Sequence, residues 1–174
     1  MMRGHSGMSA QLETDVVELG NPLDLVEQFA HANSWPYDRP SEEELAAGVD
    51  GHWNRYQLWF VWREDIASLQ LSCSLDMKVA EHRFEEACTL LARVNVRLWL
   101  GHFDLCPDDG VLMFRHTQFM GDDSEAARNQ IEALVEIALT ECERFFPAFM
   151  FLLWGGKGPE DALASAMLET VGEA

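Results

Sequence analysis

The chain has 174 residues, 48% of them hydrophobic, and its 30 acidic side chains against 12 basic ones give a formal net charge of −18. That length and composition suit a single domain able to bury a real core. The charge sets the surface against phosphate backbones and anionic headgroups, which excludes direct nucleic-acid binding and attachment to an anionic membrane surface.

Residues 1–20 hold few periodic apolar positions and are expected to form a loose arm, leaving 21–174 as the domain. The opening "MMRGHSGMSAQLETD" has no apolar run able to serve as the core of a signal peptide, so a cytoplasmic location is expected. Asn21 and Pro22 start the first helix, whose Leu25, Val26, Phe29 and Ala32 form one apolar stripe before Trp35-Pro36 breaks it. Three strands are predicted next. The first runs over 45–49 and turns at Asp50-Gly51; the second, "HWNRYQLWFVWR", carries large side chains on both faces; the third alternates Leu69, Leu71, Cys73 and Leu75 with Ser68, Gln70, Ser72 and Ser74.

Asp76 is expected to open a second helix containing Met77, Phe84, Ala87, Cys88 and Leu91. A hairpin follows, "NVRLWLGHFDL" returning as "VLMFRHTQF" through the turn residues 107–110. Asp122, Asp123 and Ser124 then cap a long helix striped by Ile131, Leu134, Val135, Ala138, Leu139 and Cys142. Pro147, lacking the amide that would bond back to residue 143, should kink or end it. A short helix from Pro159 closes an order α-βββ-α-ββ-α-α. The class is α+β, an antiparallel five-stranded sheet with helices on one face.

From Phe145 to Trp154 every residue is apolar, but ten helical residues span about 15 Å, half a hydrocarbon core. Charged residues and glycines bound the run on both sides, so it does not cross a membrane. A helix apolar all round must be covered by protein, either its own core or a second subunit, and Phe145, Phe149, Met150, Leu153 and Trp154 are the candidates for core or homodimer contact. The "GGKG" beyond it lacks the Ser or Thr and the preceding strand of a P-loop and reads as a helix stop, with Pro159 starting the next helix.

No nucleophile sits beside a recognisable base, and the paired carboxylates read as solvated faces and helix caps, so no catalytic residue is named. Cys73, Cys88, Cys106 and Cys142 show no C-x-x-C and no histidine pair at zinc spacing. His102, Asp104 and Cys106 share a strand face, but His116 falls on the opposite side, so no metal and no cofactor are expected. The tryptophans carry more information. Trp53, Trp59, Trp62 and Trp99, with Arg55, lie on predicted strands, and aromatic and arginine side chains left uncovered there are what a protein partner would use.

The element order, with the segments "NPLDLVEQFAHANSWPY", "WNRYQLWFVWRED", "VLMFRHTQF" and "FMFLLWGGKGPEDALASAMLETVGEA", resembles the YbjN family of bacterial sensory transduction regulators over residues 21–174. That family is similar in structure to the type III secretion chaperones, small acidic dimers that bind extended segments of partner proteins. The resemblance implies a non-enzymatic regulatory or chaperone-like module, a cytoplasmic homodimer with an unidentified protein partner. The alternative is a small-molecule sensor or an unrecognised enzyme with its pocket between the sheet and the long helix.

Overall fold

The computed structural model of the protein describes residues 20–172. The arm expected over 1–20 therefore lies, Gly20 apart, outside the described residues. The first helix, α1 (Pro22–Ala32), begins as its residues dictate: the Asn21 side chain accepts from the Leu23 amide at 2.9 Å, and Pro22 takes the position where a missing N–H is harmless. Strands β1 (Tyr37–Asp38), β2 (Glu44–Asp50), β3 (Arg55–Arg63) and β4 (Ser68–Lys78) follow. After α2 (Phe84–Asn95) come β5 (His102–Leu105), β6 (Val111–Phe119), the long α3 (Ser124–Leu153) and α4 (Pro159–Gly172).

The strands form one antiparallel sheet in the order β1-β2-β3-β4-β6-β5. It has six strands, not the five expected. The additional β1 pairs Tyr37 with Ala47 and Asp38 with Ala46, and the Gly48 amide donates to the Pro36 carbonyl at 2.9 Å. A strand of two residues between Pro36 and Pro40 carries no periodicity to read.

Three further expectations are corrected. Asp76 does not open a helix: it takes a left-handed conformation (φ 54°) where the β4–β6 register shifts between Ser74 and Lys78, and β4 continues past this irregularity with Met77 still buried. The strand expected from Asn95 begins only at His102, because α2 runs to Asn95 and residues 96–101 turn between them. Of the kink or end expected at Pro147, the end does not occur, since α3 continues past it to Leu153. The turns on either side of it are held by Phe145, Phe146, Ala148 and Phe149, all buried, and that packing outweighs the one lost amide bond.

The four helices of the described residues belong to one side of the sheet: α1 meets β2 and β3, α3 crosses β4 and β6, α2 lies by β5, and α4 packs on α2 and α3. Between sheet and helices the strands contribute Leu45, Tyr56, Leu58, Phe60, Leu71, Cys73 and Phe114, all essentially inaccessible. Phe103 of β5 is the hub of the aromatic part. Its ring centre lies 5.4 Å from Phe114, 5.9 Å from Phe145 and 5.3 Å from Phe149.

The helix stop at 154–158 forms as its residues imply. Gly156 takes φ 67°, the Lys157 amide donates to the Phe151 carbonyl at 3.2 Å, and Pro159 starts α4. The Lys157 side chain is occupied, with Nζ 2.6 Å from Ser165 Oγ and 4.5 Å from the centre of the Phe151 ring. Among the described residues no helix is long and apolar enough to cross a membrane.

Candidate functional site

Because the strands alternate, the sheet has a second face that, among the described residues, no helix covers. The cross-strand register places its residues in rows. One row runs Ala46 (β2), Trp59 (β3), Ser72 (β4), Arg115 (β6) and His102 (β5). On one side of it lie Glu44, Val61, Gln70 and Thr117; on the other, Gly48, Gln57, Ser74, Met113 and Asp104. Most of these side chains are polar. Trp59 is the one aromatic residue in the middle of them, 40% exposed, and its neighbours across the strands, Ala46 and Ser72, are too small to cover its ring.

Beside Trp59 the face dips. A shallow depression of 300 Å³ lies over Gly48, walled by Tyr37, Ala46, Arg55 and Gln57. A Cβ on Gly48 would stand 3.3 Å from the Arg55 guanidinium, so the absence of a side chain leaves that guanidinium its place. The carboxylate nearest to Arg55 is that of Asp50, a loose and exposed pair at 3.6 Å. An indole, a hollow and a weakly engaged guanidinium side by side can take an apolar side chain and an acidic group of an extended chain.

The other residues singled out from the sequence do not join this set. Trp62 points to the helix side and packs partly buried against the core. Trp53, in the loop between β2 and β3, stacks on Phe146 of α3 at 6.3 Å. That loop is held from below, since the Glu143 carboxylate accepts from the His52 amide at 2.8 Å. Tyr56, next to the same carboxylate, is kept protonated far above its ordinary range, first by burial and then by the charge of Glu143. Trp99 stands 98% exposed in the turn after α2.

Of the residues offered as core or dimer contact, Phe145 and Phe149 are buried in this chain's own core, Met150 and Leu153 are half-buried against it, and Trp154 is 66% exposed. His102 and Asp104 share the uncovered face, with Asp104 bridged to Arg115 at 3.2 Å, while His116 belongs to the other face. Burial, and then the nearby His102, hold His116 below its usual pKa. Among the described residues no group of three His, Cys, Asp or Glu side chains is placed to hold a metal ion.

Two features escaped the sequence reading. One is Phe119, 74% exposed at the end of β6; the alternation of "VLMFRHTQF", with Leu112 and Phe114 inward, already places it outward with Thr117. The other is Asn95, whose amide bonds both backbone groups of Phe103, a contact across eight residues that no local pattern announces.

A sequence model of the YbjN family, described as "Putative bacterial sensory transduction regulator", matches residues 22–151, which take in α1, the whole sheet and most of α3. None of the curated proteins compared matches the chain. Among solved structures, a chain of the "Crystal Structure of the ExsC-ExsE Complex" is similar at 15% identity, over 70% of this chain and 88% of its own, with a TM-score of 0.44.

Proposed function

The chain belongs to the YbjN family, and from that premise we propose that it is a non-enzymatic regulatory, chaperone-like module, a cytoplasmic homodimer that binds a protein segment on the uncovered sheet face. One observation carries this reading. Among the described residues the six-stranded sheet has one whole face without a helix, and in its centre a tryptophan stands among polar side chains next to a hollow and an arginine. Isolated aromatic anchors with a polar surround are the usual energetic centre of a protein interface. The alternative, a ligand pocket between the sheet and α3, has less to support it, since Leu58, Phe60, Cys73, Phe103, Phe145 and Phe149 fill that layer.

The test is capture of partners from native lysate by the tagged full chain, with Trp59→Ala and Trp99→Ala compared. Trp59→Ala should weaken the captured interaction by roughly 30-fold, the equivalent of about 2 kcal/mol for an anchor residue, with the circular dichroism spectrum unchanged. Capture that is indifferent to Trp59→Ala and to Arg55→Ala would remove this face from the reading.

A further inference from the structure

The exposed apolar residues are not spread evenly. Ile66, Val96, Trp99, Leu100 and Phe119 all belong to the segments that meet where β4 begins, β5 begins and β6 ends. Ser68 pairs with Phe119 just beyond Ile66, and the turn holding Val96, Trp99 and Leu100 delivers the chain to His102, opposite Arg115.

At this corner the sheet has an open edge. β5 covers β6 only from Leu112 to Arg115, whereas β6 continues to Phe119. The hydrogen-bond alternation says which groups are left. The Cys106 amide donates to Val111, so Val111, Met113 and Arg115 face β5; the Met120 amide donates to Ala67, so the even-numbered residues face β4. Thr117 and Phe119 therefore turn their N–H and C=O groups outward where β5 has already ended. Among the described residues nothing accepts from either amide, and the Phe119 carbonyl receives only the neighbouring Gln118 side chain at 3.2 Å. Farther along, the outer edge is closed: Asn95 bonds both backbone groups of Phe103, and Asp104 accepts from the Leu105 amide. Proteins close such edges because an open one recruits another strand.

We infer that a second copy of this chain docks here, β6 against β6 in antiparallel register about Gln118, so that Thr117 of each copy exchanges both backbone hydrogen bonds with Phe119 of the other. The inference rests on the homodimer reading above and names its interface. Three observations favour a second copy over an unrelated strand. Two outward residues separated by one are self-complementary about a twofold axis, since each supplies the donor and acceptor that the other needs. Phe119, Trp99 and Leu100 would be covered twice over by one contact. In a chain of −18, two copies also need a contact free of like-charge repulsion. Here Arg63 pairs with Asp65 and Arg115 with Asp104, and Arg97 has its guanidinium on a backbone carbonyl, so these arginines are matched within each copy.

The test is sedimentation velocity of the full chain and two variants across a concentration series. Thr117→Pro deletes a donor that faces outward, so the ladder to β4 is kept. Phe119→Asp puts a charge into the same contact and serves should the proline variant fold poorly. The unmodified chain should be dimeric, and each variant should raise the dissociation constant at least about tenfold with an unchanged far-ultraviolet spectrum, while Trp59→Ala leaves it alone. A dimer as tight in both variants as in the unmodified chain would overturn this interface and leave the homodimer reading standing. A monomer at about 100 µM, too weak an association for a working dimer, would overturn both and leave partner binding at Trp59 to its own test.

Discussion

Replacing Phe149 by alanine should lower the unfolding free energy by about 3–5 kcal/mol, the cost of emptying a fully buried aromatic site that cannot collapse. The site cannot collapse because it is bounded on both sides by rigid elements. Phe149 lies in the middle of the last turns of α3, and its ring is 5.3 Å from Phe103 of β5, which in turn meets Phe114 and Phe145. Loss of the ring removes the contact that presses the helix onto the β5–β6 side of the sheet. Urea unfolding reads the effect: the midpoint should fall by roughly 2 M with an unchanged slope, given ordinary slopes for a chain of this size. Phe119→Ala is the control, an equal truncation at an exposed position, which should change monomer stability by no more than about 0.5 kcal/mol. A loss below about 1 kcal/mol for Phe149→Ala would mean that α3 does not lie on the sheet as described.

The same pair of residues shows how far the sequence could be read. Phe145 and Phe149 announce themselves as apolar and helical, but an all-apolar stretch gives no face, so in sequence core and dimer contact are equivalent and the packing on the sheet separates them. Strand faces were more legible. Leu69, Leu71, Cys73 and Leu75 alternate with serines and glutamine, and they are the inward set. In β3 both faces carry large side chains, and the alternation separates Trp59 from Trp62 without saying which side is covered; the helices decide that, and Trp59 lies on the open face with Arg55, Gln57 and Val61. Propensity failed where tertiary contacts override it. Asp76 looks like a helix cap and sits within β4, and Pro147 looks like a helix end and is carried through by buried neighbours. Trp53 and Trp99 lie in segments that read as strands, yet both stand in loops, one anchored on Phe146 and one free of the core.

Asn95→Ala should cost about 2 kcal/mol, for a reason that lies in the backbone. Its side-chain amide donates to the Phe103 carbonyl at 3.0 Å and accepts from the Phe103 amide at 2.8 Å, so it acts as a one-residue strand laid along the outer edge of β5. Alanine would leave a donor and an acceptor unpaired in a partly buried place where water replaces them incompletely. It would also open a second edge, next to the one at Thr117, and size-exclusion profiles should show species larger than a dimer. Asn95→Asp separates the two bonds. At pH 7 its carboxylate still accepts from the Phe103 amide but faces the Phe103 carbonyl oxygen with no proton between them. The folded state therefore favours the protonated acid, which restores the donor, so the pKa of the new carboxyl rises above its unfolded value of about 3.9. For a group shifted in that direction the recovered stability is fully present below the unfolded pKa and is lost as pH rises through the folded one. Measured against the unmodified chain at each pH, which cancels the protein's other carboxylates, Asn95→Asp should thus be much less destabilised at pH 4 than at pH 7. A deficit equal at both pH values, together with an Asn95→Ala chain as stable as its parent, would show that Asn95 does not close this edge.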